Sequence, residues 1–166
     1  MKSVVNEIFE LKDIESAIDF VVESFGVTEK KVYPEGEYDI AELEIKSGRV
    51  FDADQLFNMV KKGYVSLLAI YEKGKMVGTS ALDVEAGRIL FLSANGDRTV
   101  MKQLVEAMTQ KRENAPDGKL DILAFQGEEQ NLKLLGFNKL KTDIFYFNKI
   151  RFIAMRFNYE QIDVER

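Results

Sequence analysis

Residues 87–112 constrain the fold of this chain most strongly, because they read as a strand, a loop and a helix in direct succession. Residues 88–93 form a short apolar run, residues 94–99 carry a turn signal, and apolar residues then recur at helical spacing from Val100 to Met108. A helix that begins just after a strand presents unpaired N–H groups and the positive end of its dipole at the loop. Any strand-to-helix junction shares these properties, but they also suit a phosphate site.

The N-terminal third predicts a strand and two helices. Residues 4–11 are strand-like, and Asp13 begins an amphipathic helix that Gly26 is expected to stop. Asp52 caps a second helix, which Gly63 ends. Residues 33–48 show no clean period and predict a loop with some local order.

The remainder of the chain is dominated by strands. A turn around Gly74 joins two of them into a hairpin, and Gly136 ends the last helix. The predicted elements are strands at 65–71, 76–84 and 88–93, the central helix, a strand at 120–125, a helix at 128–135, and strands at 144–147 and 151–157. The order is therefore strand, two helices, three antiparallel strands, helix, strand, helix and two strands.

The composition limits the chemistry that this chain supports. Its 166 residues, 46% of them hydrophobic, fit one domain, 1–166, with a sizeable core. The sequence contains no His and no Cys, which excludes a Ser-His-Asp triad, a thiolate nucleophile, a disulfide framework and a zinc site built on imidazole or thiolate. We predict no metal site, so catalysis would rest on carboxylates, Tyr, Lys, hydroxyls, backbone amides or a cofactor.

Charge and hydropathy indicate a protein of the aqueous phase. The longest apolar run, residues 65–71, is too short to span a bilayer, and Glu7 and Glu10 lie near the start of the chain. We expect a soluble cytoplasmic protein with no membrane partner. A net charge of -5 and a pI near 5.0 argue against a nucleic-acid partner.

The negative charge is concentrated in one segment. Between residues 33 and 54 there are seven acidic residues against two basic ones, an excess of five that equals the net charge of the whole chain. Such a segment is either a solvated acidic face or a lobe that attracts a cationic amine. The sequence leaves both interpretations open.

Two short motifs in this element order carry a family resemblance. Met76-Val77-Gly78 opens the strand after the glycine hairpin, and Leu134-Leu135-Gly136-Phe137 closes the last helix. This element order, with the two motifs at these positions, resembles that of the GNAT superfamily of acyl-CoA-dependent N-acyltransferases. The resemblance covers about residues 4–157. The resemblance implies an α+β fold with α/β/α layers: a mixed, mostly antiparallel twisted sheet of six to seven strands, flanked by about four helices.

The resemblance also implies a site for acetyl-CoA as the acyl donor. In the family, amides of the loop before the central helix hold the pyrophosphate, on the pattern Arg/Gln-x-x-Gly-x-Gly/Ala, and the preceding strand pairs with the pantetheine arm. The positions so implied are Phe91 and Leu92 for pantetheine, and Gly96, Asp97, Arg98, Thr99, Val100 and Met101 for pyrophosphate. The three motif positions fall on Gly96, Thr99 and Met101, and all three depart from the pattern.

Two charged residues in this loop have opposite expected effects on phosphate binding. Arg98 adds a cation that attracts phosphate. Asp97, as a helix cap, takes up an amide that phosphate needs.

The catalytic residues are also implied by the resemblance. Glu85 aligns with the family's glutamate that accepts the proton of the attacking ammonium, although it also suits a plain turn carboxylate. The family's proton-donating tyrosine falls on Leu132, and Tyr146 on the following strand is the nearest substitute. A half-buried strand tyrosine with no catalytic role is the alternative for Tyr146.

The leading hypothesis is an N-acyltransferase that moves an acetyl or acyl group from acyl-CoA to a primary amine of a small molecule or peptide. The alternative is a catalytically degenerate member of the fold that binds or regulates. An unrelated α+β domain is favoured if the last two strands do not join the sheet that contains Phe91. The apolar final strands leave room for a homodimer edge.

Overall fold

The computed structural model describes residues 4–32, 52–113, 115, 118–147 and 150–160. For residues 25–32, 125–126, 143–147, 150–154 and 160 it describes the backbone alone. The predicted loop at 33–48 lies outside these ranges, and so does most of the acidic segment at 33–54.

Within the described ranges the chain forms seven strands and four α-helices. The helices are α1 (Leu11–Val32), α2 (Ala53–Lys61), α3 (Arg98–Lys111) and α4 (Glu129–Leu134), with a 3-10 turn at Gln126–Glu128 before α4. The strands are β1 (Val5–Glu7), β2 (Val65–Glu72), β3 (Lys75–Asp83), β4 (Arg88–Ser93), β5 (Lys119–Phe125), β6 (Asn138–Phe147) and β7 (Ile150–Glu160). Their order along the chain is the predicted one.

The strands form one open sheet in the order β1-β2-β3-β4-β5-β7-β6. Only β4 and β5 pair in parallel, and the other neighbouring strands are antiparallel. The predicted mixed, mostly antiparallel sheet is therefore confirmed. β6 and β7 join the sheet that contains Phe91, so the condition that would favour an unrelated α+β domain is not met. Among the described residues β6 lies at one end of the sheet, and a homodimer edge at the final two strands stays a prediction.

Each face of the sheet has its own apolar core, which gives three layers. Ile14 of α1 and Leu56 of α2 are buried on one face together with Phe91. Leu104 of α3 is buried on the other face together with Phe157 of β7. These side chains are almost completely removed from water, so the sheet is stabilised by apolar burial from both sides.

The predicted end of the first helix is wrong. α1 begins at Leu11 and continues through Gly26 to Val32. A glycine inside a helix costs only about 1 kcal/mol. Burial of an apolar stripe that includes Ile14 and Val21 offsets that cost, because both side chains lie in the core.

The lengths of the outer strands also differ from the prediction. β1 is limited to Val5–Glu7, where it pairs with β2, rather than extending over residues 4–11. β6 begins at Asn138, six residues before the predicted start at Ile144, because pairing with β7 recruits residues of low intrinsic strand preference.

The predicted end of the last helix is confirmed. Gly136 has φ 103°, its N–H donates to Lys133 O at 3.1 Å, and the Phe137 N–H donates to Leu132 O at 3.0 Å. This is a Schellman cap, and Phe137 and Leu132 are buried in the same core. The turn is therefore explained by structure alone and says nothing about function.

None of the helices in the described ranges is both long enough and apolar enough to cross a bilayer.

Candidate active site

The two parallel strands at the centre of the sheet separate. Their ladder contains only Arg88 opposite Asp121 and Ile89 opposite Ile122. Farther along, β4 stays paired with β3 as far as Ser93, and β5 stays paired with β7. A gap therefore opens between the second half of β4 and the end of β5.

A β-bulge at Leu90 shapes the second half of β4. Ala81 of β3 pairs with Phe91, whereas the next residue, Leu82, pairs with Ile89, so Leu90 is the extra residue. As a result Ile89 and Phe91 lie in cores on opposite faces of the sheet, although regular alternation would put them on the same face.

The backbone of β4 beyond the bulge supplies an amide to the gap. In a strand, the N–H and C=O of one residue point to one neighbouring strand, and those of the next residue point to the other. Of Phe91 and Leu92, one therefore directs its N–H toward β3 and the other toward the gap. Such an amide is suited to polarise a carbonyl group placed there.

A small cleft, with a cavity volume of about 40 Å³, lies at this gap. It is lined by Val21, Ser24, Phe91, Leu92, Ser93, Ala94, Asn95, Gly96, Met101, Glu128, Asn131 and Leu132. Val21 belongs to the core on the α1 side of the sheet, whereas Met101 and Leu132 belong to the core on the α3 side. The cleft therefore connects the two faces where the strands part.

A tight turn closes one end of the cleft. Asn95 and Gly96 both have positive φ, 50° and 80°, and the Asp97 N–H donates to Ala94 O at 2.9 Å. Two successive left-handed residues define a type I′ turn. Asn95, Gly96 and Asp97 are exposed, and a Cβ on Gly96 would meet nothing within 4 Å.

The side chain of Asp97 caps α3, as predicted. Its Oδ1 accepts from the Thr99 N–H at 3.0 Å and from the Val100 N–H at 3.2 Å. A phosphate on these two amides would compete with the carboxylate and be repelled by it.

Other donors remain at the same loop. In the part of the chain that the structure describes, the Gly96 and Arg98 N–H groups have no hydrogen-bond partner, and the Arg98 side chain is exposed. The anion-binding capacity of the loop therefore lies with Gly96 and Arg98 rather than with Thr99 and Val100.

The structure places the predicted donor-binding residues along one path. Phe91, Leu92, Gly96 and Met101 line the cleft. Asp97, Arg98 and Thr99 are exposed at its end, whereas Val100 of α3 is buried in the core and does not face the cleft. Met101 is 7% exposed and packs into the core, so its bulk narrows the cleft itself.

The structure does not bring Glu85 to the cleft. Glu85 lies in the exposed turn before β4, and its C=O accepts from Nη1 of Arg112 at 2.7 Å. The cleft is at the other end of β4, and a six-residue strand is about 20 Å long. The ungapped alignment counts back from the loop past all of β4. It therefore assigns the glutamate to the turn before this strand, at the opposite end from the cleft.

Tyr146 lies on β6 opposite Arg151, and its side chain is outside the described residues. Its role as proton donor stays a prediction. Leu132, which aligns with the family's tyrosine, does line the cleft and is 1% exposed.

Glu128 is a cleft residue that the sequence analysis missed. It ends the 3-10 turn after β5 and is half-buried. Among the described residues it is the only ionisable side chain that lines the cleft. The one sequence signal is its position at the end of the short connection between a predicted strand and a predicted helix, because functional side chains are common in such connections.

A second, open cleft adjoins the first at Ala94 and Asn95. It is lined on the α1 side by Phe20 and Glu23, and on the β3 side by residues 75–77. Together the clefts offer two approaches to the second half of β4.

Comparison with known proteins identifies the fold. No protein-family model matches the chain, and no curated protein matches it in sequence. Among solved structures, the chain is similar to a GCN5-related N-acetyltransferase from Rhodopseudomonas palustris, with a TM-score of 0.71, 15% identity and 97% of each chain covered. It is also similar to a probable acetyltransferase from Staphylococcus epidermidis, with a TM-score of 0.67, 15% identity, and 97% and 100% of the two chains covered.

A third similar structure contains a ligand. It is the PaiA N-acetyltransferase from Thermoplasma acidophilum in complex with coenzyme A, with a TM-score of 0.66, 16% identity, and 97% and 100% of the two chains covered. The chain therefore has the fold of the GNAT acetyltransferases over nearly its whole length, at only 15–16% sequence identity to these three structures.

Proposed function

We propose that this protein is an acyl-CoA-dependent N-acyltransferase that transfers an acetyl or acyl group to a primary amine of a small molecule or peptide. The observation that carries the proposal is the separation of β4 from β5 after Ile89, which opens a cleft that ends at the N-terminus of α3. The coenzyme A bound by the similar Thermoplasma acidophilum protein supports an acyl-CoA donor.

We assign two parts of the donor to two parts of the site. The pantetheine arm would lie along Phe91 and Leu92, with the thioester carbonyl on the β4 amide that faces the gap. The pyrophosphate would lie at the loop, on the Gly96 and Arg98 amides and the Arg98 guanidinium. Because Asp97 holds the next two amides of α3, we expect weaker phosphate binding than a free helix N-terminus provides.

The transfer needs a base, and Glu128 is placed to be one. The acceptor enters as an ammonium, loses a proton to Glu128 directly or through a water, and attacks the thioester carbonyl. A C–N bond forms, the C–S bond breaks and the coenzyme A thiolate leaves, while the nitrogen gives up its second proton to the thiolate or to water, which leaves a neutral amide. Glu128 replaces Glu85 in this scheme because it lines the cleft.

The thiolate is a stable leaving group in water, so the reaction does not depend on an enzyme acid. We keep Tyr146 as the candidate proton donor. A Tyr146→Phe variant with wild-type turnover would remove it from the mechanism.

The first experiment is calorimetric titration of the purified protein with acetyl-CoA. We expect micromolar binding, roughly -8 kcal/mol. Arg98→Glu should weaken that binding about tenfold by like-charge repulsion. Lys102→Glu makes the same charge change farther along α3, on an exposed residue, and serves as the matched control. Equal losses in the two variants would remove Arg98 from the site.

The base is tested by Glu128→Gln, with Glu129→Gln as the neighbouring control that does not line the cleft. The measurement is release of coenzyme A thiol from acetyl-CoA in the presence of a panel of small primary amines. We expect Glu128→Gln to lower kcat by about a hundredfold while acetyl-CoA binding is kept. A turnover within a few-fold of wild type would exclude Glu128 as the base.

A second candidate function is a non-catalytic binding or regulatory module with this fold. The Asp97 carboxylate on the first-turn amides and the apolar Leu132 in the cleft favour it. If saturating coenzyme A leaves Tm unchanged in a folded protein, this candidate replaces the enzyme.

A further inference from the structure

The turn at the end of the cleft contains a chemically labile pair of residues. Of the eight asparagines in the sequence, only Asn95 is followed by glycine. Both Asn95 and Gly96 are exposed. The Gly96 N–H has no hydrogen-bond partner within the described residues, and the space around Gly96 is open.

This arrangement favours attack of the peptide nitrogen on the neighbouring side chain. When the Gly96 nitrogen loses its proton and bonds to Cγ of Asn95, the side-chain NH2 leaves as ammonia and a five-membered imide forms. Water then opens the imide at one of its two carbonyls, which gives aspartate or isoaspartate. The net reaction consumes one water and releases one ammonia, and no other reactant is required.

Glycine makes the first step easier than any other residue would, because it has no side chain to obstruct the ring and its backbone rotates freely. Asn95 must leave its left-handed conformation to react. An exposed turn allows that, whereas asparagines in regular elements are held by backbone pairing.

We propose that Asn95 is a site of spontaneous deamidation and that its conversion lowers the affinity of the α3 loop for acyl-CoA. The second part rests on the proposed function. A carboxylate at residue 95 would lie two residues from Asp97 and beside the Gly96 and Arg98 donors. Isoaspartate would in addition insert a methylene group into the backbone of the turn.

The modification is tested by ageing the purified protein at physiological temperature and mildly alkaline pH, followed by peptide mapping. Deamidation is detected as the mass increase that accompanies replacement of NH2 by OH. We expect Asn95 to react several times faster than each of the other seven asparagines, and Gly96→Ala to slow it. Reaction of Asn95 no faster than the others in the wild-type protein would overturn the proposal.

The consequence is tested by titrating Asn95→Asp with acetyl-CoA. We expect about fivefold weaker binding than wild type, from one added like charge near the phosphates. Asn58→Asp, at an exposed position of α2, is the matched control and should bind as wild type. Unchanged affinity in Asn95→Asp would overturn the effect on binding. If the wild-type protein binds no acetyl-CoA, the proposed function and this effect both fail, whereas the mass measurement still decides the modification.

Discussion

The two halves of β4 differ in how completely they are held. Arg88 and Ile89 pair with strands on both sides, whereas the ladder to β5 ends before Phe91, Leu92 and Ser93, which pair with β3. The first half, residues 88–89, is paired on both sides and is called the closed half below. The second, residues 91–93, forms one wall of the cleft and is called the open half. One strand can therefore supply both rigid support and an open site when its neighbour separates from it partway along.

A buried arginine fixes the closed half. Arg112, 3% exposed, donates from Nη1 to Val84 O at 2.9 Å and to Glu85 O at 2.7 Å, and from Nε to Lys119 O at 3.2 Å. It thereby joins the end of α3 to the turn before β4 and to the start of β5. Gly87 packs so closely that a Cβ there would lie 2.4 Å from Lys119 O.

Removing this arginine should produce the largest loss of stability. Arg112→Ala would leave three carbonyl groups without their donor, which we expect to lower the free energy of unfolding by about 3 kcal/mol. Urea denaturation measures the change. Arg88→Ala, on the exposed surface of the same half of β4, is the control and should lose at most about 0.5 kcal/mol. Equal losses would mean that Arg112 does not fix this half.

Close packing of β3 against α3 supports the open half of β4. Gly78 on β3 lies against α3, and a Cβ there would be 2.4 Å from Cγ1 of Val100 and 3.2 Å from Cδ1 of Leu104. Gly78→Ala should therefore lower stability by about 2 kcal/mol and displace the start of α3. Adding Val100→Ala should make room for the new methyl, so the losses in the double variant should be less than additive. Simple additivity in denaturation curves would contradict the close contact.

Two substitutions of Asp97 distinguish its effect on protein stability from its effect on acetyl-CoA binding. Asp97→Ala removes the cap of α3 and should lower the free energy of unfolding by about 1 kcal/mol. Asp97→Asn keeps an acceptor and should cost much less, but it removes the charge that opposes phosphate. We expect Asp97→Asn to bind acetyl-CoA more tightly than wild type in calorimetry. If neither variant binds acetyl-CoA more tightly than wild type, the pyrophosphate does not lie next to Asp97.

The smallest effect is expected outside both halves of β4. A hydrogen bond from Lys133, at 2.9 Å, lowers the pKa of Glu129 below its ordinary value of 4.5, and Lys139 at 3.3 Å adds to this effect against partial burial. The carboxylate therefore stabilises the fold fully above its ordinary pKa, and this contribution disappears as the pH falls through the lower folded-state value. Glu129→Gln should lose less than about 1 kcal/mol at neutral pH.

The pH dependence checks this assignment. Unfolding of wild type and Glu129→Gln should differ at neutral pH and converge in acid. A difference that persists below the folded-state pKa would show that the effect does not come from the charge of Glu129.

Much of the local structure followed from the sequence, because it depends on neighbours along the chain. Asp52 and Asp97 cap their helices as predicted, and Gly74 and Gly136 occupy the left-handed positions that their turns require. The end of α1 was not predictable from Gly26, since the contacts that support α1 come from other elements.

The site followed from the sequence only in part. Resemblance alone assigned Phe91 and Leu92 to the pantetheine arm. Both residues line the cleft, and the binding itself stays a prediction. It also selected Glu85, which the structure leaves at the far end of β4. Glu128 lines the cleft without any motif to mark it, because its position depends on where β5 separates from β4.

By itself the sequence determined the order of the elements, their caps and turns, and the chemistry excluded by the lack of His and Cys. These properties depend on residue type and on contacts between near neighbours in the chain. The tertiary structure alone decided where β4 and β5 part, which side chains face the cleft, and that Arg112 is buried. Those features arise from pairing and packing between residues far apart in sequence, which no local pattern records.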